Sequence, residues 1–261
     1  MLWVNNNLDI VATKYYYSII RIFDKGEWLN MAKKDKIKAE QEFLKTYSSD
    51  AFEKPSVAVD LLVFTVEDGK LKIVTVRRQE YPFKGELALP GVFVGMTESV
   101  DEAAKRGIKE EAGLEDIYFE QLYAFGEIDR DPRMRVISIA YIALVPIGKI
   151  HLRTGLRSEK TELTDVDALL SSGEEVAFDH RQIIECGRER IRSKTESTSL
   201  PFNLMPEEFT LPELQKVYEI LLGKKLYKAN FRKKIAEMIV ETDHMTSGDA
   251  HRPSRYYKFK G

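Results

Sequence analysis

The sequence predicts an α+β chain in which a strand-rich middle region is followed by a small helical domain. Three observations carry this. Four segments, VAVDLLVFTV from Val57, LKIVTVRR from Leu71, IYFEQLYAFG from Ile117 and VISIAYIALVP from Val136, are rich in aromatic and β-branched residues and alternate as strands do. One sharply delimited helix falls among them. From Leu211 the apolar period becomes helical in two segments joined by a short lysine-containing turn.

Length and charge set the outer bounds. The chain has 261 residues, 40 basic against 42 acidic, and a net charge of −2, so only the local charge distribution speaks about nucleic acid. Cys186 is the only cysteine, which excludes an intrachain disulfide and suits a reducing cytoplasm. No apolar run reaches the roughly 18 residues of a membrane span, and residues 1–30 lack a signal-peptide layout. Two readings of residues 1–30 stand side by side. They are an ordinary N-terminal extension, or they are untranslated and the protein starts at Met31, since Lys25-Gly26-Glu27 can be encoded by a purine-rich run resembling a bacterial ribosome-binding site.

The elements follow in order. Residues 1–50 form an N-terminal extension with a short helix over Ala39–Thr46 and a linker ending at Pro55. The first two strands make a hairpin around Glu67-Asp68-Gly69-Lys70. Ser99 followed by Glu102 is a capping box and Gly113 a helix-ending glycine, which places one helix over Ser99–Ala112. The last two strands flank a charged loop, Gly126–Arg135, and a further helix lies near His180–Arg192. Polar residues 193–200 have the composition of a linker. Beyond it, Thr210 caps a helix over Leu211–Leu222 that Gly223 stops, and a second helix runs from about Lys228 to Val240. Residues Thr246–Lys260 end in the strand-like RYYKFK.

The segment Leu89–Leu114 carries the chemistry. Positions 107, 110 and 111 share one helix face, and Glu98 and Arg106 stand in fixed register with them. The segment resembles a Nudix box, a pyrophosphate-hydrolase signature, at Glu98, Arg106, Ile108, Glu110, Glu111, Gly113 and Leu114. It departs twice: Val92 stands at the box's first glycine, and Gly107 replaces the glutamate that follows the arginine. The resemblance implies an α/β/α sandwich over residues 51–195, in which that helix face presents carboxylates to magnesium. Glu110 and Glu111 are the remaining metal candidates. With one carboxylate missing, Glu98, Arg106, Glu110 and Glu111 are read as the remnant of a catalytic box, no cofactor is required, and Mg2+ belongs only to a residual hydrolase. Restoring the carboxylate by Gly107→Glu is expected to return some activity.

In the loop, Arg130, Arg133 and Arg135 crowd into ten residues, and guanidinium forks match phosphate oxygens. Arg133 and Arg135 are therefore expected to bind a phosphorylated or sugar-containing effector, with Arg78 or Arg77 as weaker candidates. In residues 200–261 the second helix exposes Lys228, Arg232, Lys233 and Lys234, and no acidic residue interrupts the chain from Lys224 to Lys234. The pattern resembles a winged helix-turn-helix. Asn230 and Arg232 would face base edges, while the lysines, Arg252 and Arg255 would meet phosphates.

The run FNLMPEEFTLPELQKVYEILLG with NFRKKI is very similar to the Nudix-related transcriptional regulators, a likeness extending from Ser56 to Lys260. It implies a cytoplasmic, homodimeric regulator that binds double-stranded operator DNA and senses a small molecule, either ADP-ribose-like or a pentose. The alternative is a magnesium-dependent Nudix hydrolase of ADP-ribose or an ADP-sugar, with Glu159 or Glu162, in the loop after the last strand, supplying the base.

Overall fold

The computed structural model describes residues 25–152, 158–246 and 253–261, which fall into two compact units divided at Lys54 and Pro55. The first unit contains helix α1, Lys25–Thr46, longer than the expected Ala39–Thr46 because the lysine-rich stretch before Ala39 also favours helix. The two readings of residues 1–30 rest on a segment most of which lies outside the described residues.

The second unit is built on a mixed sheet. Strands β1 (Ser56–Glu67) and β2 (Lys70–Arg78) form the predicted hairpin. Short strands β3 (Leu87–Ala88) and β4 (Gly91–Phe93) pair with β2 and β1. Helix α2 (Val100–Ala112) leads to β5 (Tyr118–Phe125) and β6 (Val136–Leu144), and β6 lies parallel to β1. The path through the sheet runs β3-β2-β1-β6-β5. Residues 158–165, taken from sequence as loop, instead form β7 (Ser158–Asp165) along β2, followed by a short helix α3 (Val166–Ser171).

Alternation along β1 explains the layers. Val59, Leu61 and Val63 pack with Ala103, Ala104 and Ile108 of α2 on one face. Leu62 and Phe64 meet Ile183, Ile184 and Ile191 of helix α4 (His180–Thr195) on the other. Burying each such aliphatic side chain contributes about 1.5–3 kcal/mol, enough for the strand period to fix which helix covers which face. At the start of α2 the Ser99 hydroxyl accepts from Glu102 N–H and the Glu102 carboxylate accepts from Ser99 N–H at 2.7 Å, while Gly113 ends the helix with φ 66°.

The C-terminal part is a winged helix. Strand β8 (Phe209–Thr210) opens helix α5 (Leu211–Leu222), α6 (Lys228–Ile235) follows, and β9 (Ile239–Met245) with β10 (Arg255–Phe259) completes a β8-β10-β9 sheet. Helix α6 stops at Ile235 rather than Val240, because Ile239 and Val240 already belong to β9, where β-branched residues fit a pleated surface.

The polar run expected to be a free linker is built into the fold. Ser193–Thr195 completes α4, and Leu200–Leu204 forms a single 3-10 turn with Leu200, Phe202 and Leu204 buried. A single apolar cluster runs from Leu62 and Phe64 through Ile184 and Ile191 to Phe202, Leu214 and Phe231. The sandwich and the winged helix therefore share a core. No helix among the described residues is long and apolar enough to cross a membrane.

Helix α4 approaches the sheet most closely at Gly187, where an added Cβ would lie 2.4 Å from Leu62 Cδ2. Gly187→Ala is expected to destabilise the folded unit by about 1–3 kcal/mol despite its better helix propensity, read as a lowered urea midpoint.

Candidate functional site

The remnant box folds as its register predicts. The Arg106 guanidinium donates to Glu98 through Nε at 3.1 Å and Nη2 at 2.6 Å, and Nη2 also donates to the Phe93 carbonyl at 3.0 Å. Gly95 N–H adds a 2.7 Å bond to Glu98, and the arginine and this amide together hold the Glu98 pKa at about 2. Glu110 lies 3.3 Å from Arg106 Nη1. Glu98, Arg106 and Glu110 thus brace the turn against the helix.

One carboxylate of the family's magnesium set is missing, because Gly107 stands in its place. Among the described residues no three acidic, histidine or cysteine side chains converge on a point that would hold a metal. Glu111 Oε2 is buried without a hydrogen-bond partner, and burial, with Glu110 nearby, raises its pKa. At Gly107 an added Cβ would lie 2.9 Å from Leu61 Cδ1 and 3.2 Å from a Val92 methyl. The two departures from the box therefore face each other: the valine that replaced a glycine fills the space beside the glycine that replaced a glutamate. Gly107→Glu alone, expected from sequence to recover activity, would drive a side chain into Val92 and a core leucine. Glu162 does not lie in a loop either; it is on β7, 3.3 Å from Arg77 Nη2. Of Glu159 only the backbone is described, within β7.

On the α4 side of the sheet lies a buried charged network. Asp60, alone among the apolar residues of mid-β1, accepts from Ser138 Oγ at 2.6 Å and from Arg130 Nη2 at 3.0 Å. Arg130 also grips Asp179 through Nε at 2.8 Å and Nη2 at 2.7 Å, and its side chain is only 4% exposed. His180 Nδ1 accepts from Leu89 N–H at 2.9 Å, which puts the ring proton on Nε2, 3.5 Å from Asp60 Oδ1. Burial acting alone would raise the Asp60 pKa, but His180, Arg130 and Ser138 outweigh it and hold it at about 2.

Arg130 and Asp179 also line a cleft of about 460 Å³ with Phe83, Phe178, Glu127 and Asp129. Phe83 and Phe178 touch edge to face at 4.8 Å, and both have left-handed backbones, φ 62° and 57°. Bulky side chains rarely adopt that conformation, and such strained positions concentrate at ligand sites. Arg78 and Arg133 lie over the Phe178 ring at 4.7 and 5.7 Å. Of the sequence-derived effector residues, Arg78 and Arg133 thus both lie over the Phe178 ring, a wall of the cleft. Arg133 already forks onto Asp131, and Arg135 donates to the carbonyls of Gly126 and Glu127, closing the base of the loop. Sequence reasoning missed Asp60, Phe83, Phe178 and Asp179; a lone aspartate inside an apolar strand was the available signal for the first.

In the winged helix, α6 presents its basic residues to solvent. Lys228, Asn230, Arg232, Lys233 and Lys234 are all exposed on it, while Phe231 and Ile235 turn inward. In the wing Arg255 is paired with Glu241, and Arg252 lies outside the described residues.

A family model of the NUDIX domain matches residues 54–185, and one of the NrtR DNA-binding winged helix domain matches residues 201–259. Over 224 residues the chain is 35% identical to the ADPR responsive transcriptional repressor NtrR of Acinetobacter baylyi, covering 85% of this chain and 88% of that protein. The chain belongs to the Nudix-related transcriptional regulators. It superposes on Shewanella oneidensis NrtR complexed with a 27mer DNA with a TM-score of 0.70, at 31% identity, covering 78% of this chain and 93% of that one. The NUDIX domain of that protein complexed with ADP ribose gives a TM-score of 0.52 at 31% identity, over 58% of this chain and 97% of that one. The chain is also 40% identical over 131 residues to an ADP-ribose pyrophosphatase of Methanocaldococcus jannaschii, which covers 50% of this chain and 72% of that enzyme. Family membership makes this chain a DNA-binding transcriptional regulator with a Nudix sensor domain.

Two outcomes follow from the site. In a double-mutant cycle read by chemical denaturation, Val92→Gly/Gly107→Glu should lose less stability than the two single variants summed, and only the double variant should bind Mn2+ by electron paramagnetic resonance. For Asp60 the folded pKa lies below its usual 3.8, so its contribution, about 2 kcal/mol, is present above pH 4 and is lost as pH falls towards 2. Asp60→Asn should flatten that part of an acid-unfolding profile.

Proposed function

We propose that this chain is an ADP-ribose-responsive repressor that acts as a homodimer on operator DNA in the cytoplasm. The observation that carries this reading is the exposed cationic face of α6, presented by a winged helix that shares a core with a sandwich whose box carries glycine at position 107. Lys228, Lys233 and Lys234 supply phosphate contacts, Asn230 and Arg232 reach base edges, and Arg255 and Arg252 serve the wing. Two copies would place two α6 helices on successive half-sites of one operator face.

For the effector, the names of the Acinetobacter and Shewanella relatives support ADP-ribose over a pentose. We assign its phosphates to Arg78 and Arg133, a reading supported by their position over the Phe178 ring, and Arg135 holds the loop that carries Arg133. An effector changes operator occupancy only by binding the DNA-competent and DNA-incompetent states with different strength; a tenfold change needs about 1.4 kcal/mol of coupling.

Hydrolysis is the second reading, favoured by the identity to the Methanocaldococcus enzyme. The contact between Val92 and Gly107 speaks against it, since the helix face that would carry the third carboxylate is filled by an isopropyl group.

A gel shift with the DNA upstream of the chain's own operon tests the proposal. A retarded band that weakens with salt is expected, and ADP-ribose should release it. Arg232→Ala and Lys233→Ala should each weaken binding by about tenfold, with the salt dependence reduced. Unchanged bands in both variants would remove α6 from the interface, and vigorous turnover of ADP-ribose by the unmodified protein would favour the enzyme.

A further inference from the structure

The segment that enters helix α4 lines the effector cleft through Phe178 and Asp179, and the middle of the helix meets the DNA-binding domain. At its N-terminus the cap residue Asp179 does not cap; its carboxylate is committed to Arg130, which lines the cleft. Two turns further, Gly187 lies so close to Leu62 that no side chain fits between helix and sheet. The next residue, Arg188, reaches the other way. Its Nη1 donates to the Leu221 carbonyl at 2.6 Å, Nη2 approaches the Ile220 carbonyl at 3.5 Å, and Nε donates to Asp167 at 3.0 Å. These carbonyls lie in the last turn of α5, where helices leave acceptors unfilled and favour positive charge. The turn that follows delivers α6.

We propose that Arg188 is the positioning residue through which occupancy of the cleft sets the orientation of the α5–α6 pair and hence operator affinity. This rests on the repressor reading. The physical chain is short, since Asp179 and Arg188 are separated by about 13 Å of helix rise. An anionic ligand entering the cleft competes with Asp179 for the Arg130 guanidinium, and loss of that fork frees the first turn of α4. Packed interfaces switch between discrete arrangements rather than deforming smoothly. With no clearance at Gly187, α4 cannot take up the change by sinking towards the sheet. It slides or turns, and the Arg188 fork carries α5 with it.

The test uses the full chain and an operator-binding measurement by fluorescence anisotropy in the absence of any effector. Asp179→Asn weakens the fork from the cleft end, Arg188→Ala cuts the link at the other, and the double variant closes the cycle. Asp179→Asn should change operator Kd by at least about threefold when Arg188 is present and by less than about 1.5-fold in the R188A background. With ADP-ribose, R188A should keep its ligand Kd by calorimetry within about twofold while its operator response falls from about tenfold to under about threefold. Arg188→Lys, which keeps a donor for the Leu221 carbonyl, should recover part of the response, and it serves in the cycle if R188A fails to fold. Equal effects of Asp179→Asn in both backgrounds, or a full ADP-ribose response in folded R188A, would overturn the proposal. A wild-type chain that binds no operator would instead sink the repressor reading itself.

Discussion

Two carboxylates, Asp60 in the middle of β1 and Asp179 at the start of α4, share the guanidinium of Arg130 at a point almost sealed from water. A buried ion cluster of this kind seldom adds much net stability, because desolvation offsets attraction, but removing one member leaves a charge uncompensated at a cost of about 3–5 kcal/mol. Its effect is to fix geometry. It ties the central strand, the Gly126–Arg135 loop and the first turn of α4 to one another, and Ser138 and His180 complete the pairing around Asp60. The cleft wall and the helix leading to the winged domain are therefore held by the same few atoms.

The box on the other face of the sheet has kept its scaffold, and glycine stands at one of its carboxylate positions. Glu98 and Arg106 still lock the turn to the helix, which is a structural task independent of metal. What changed is the pair Val92 and Gly107, where bulk moved from the helix to the strand. In the proposed repressor the effector is bound without being consumed, so that occupancy would report ligand concentration rather than enzymatic flux.

Much of this was legible in the residues. Alternation in β1 and β2, the Ser99–Glu102 cap, Gly113 and the Thr210–Gly223 limits of α5 are local rules, and local rules can be read from local sequence. Strand β7 was missed because SEKTELTD is polar on both faces and is held in place by its partner β2. The end of α6 was misplaced by five residues because Met238 and Ile239 continue its apolar period, although Met238 lies in the turn after the helix and Ile239 in the strand that follows. The run 193–200 reads as a linker since it is polar up to Leu200, although Thr195 and Leu200 are buried by tertiary contacts. In the site, the arginine-rich loop was recognised but its roles were not separable. Only the fold reveals that Arg130 faces inward to two aspartates while Arg133 lies over a phenylalanine ring.

The proposed repressor responds to a ligand that binds intact, without a divalent ion. The most direct test is to titrate the protein–operator complex with ADP-ribose in excess chelator and again in magnesium, and to recover the ligand afterwards. Release at the same ligand concentration in both, with ADP-ribose recovered whole, is the predicted result. Release that depends on magnesium, or that leaves AMP and ribose phosphate behind, would contradict it.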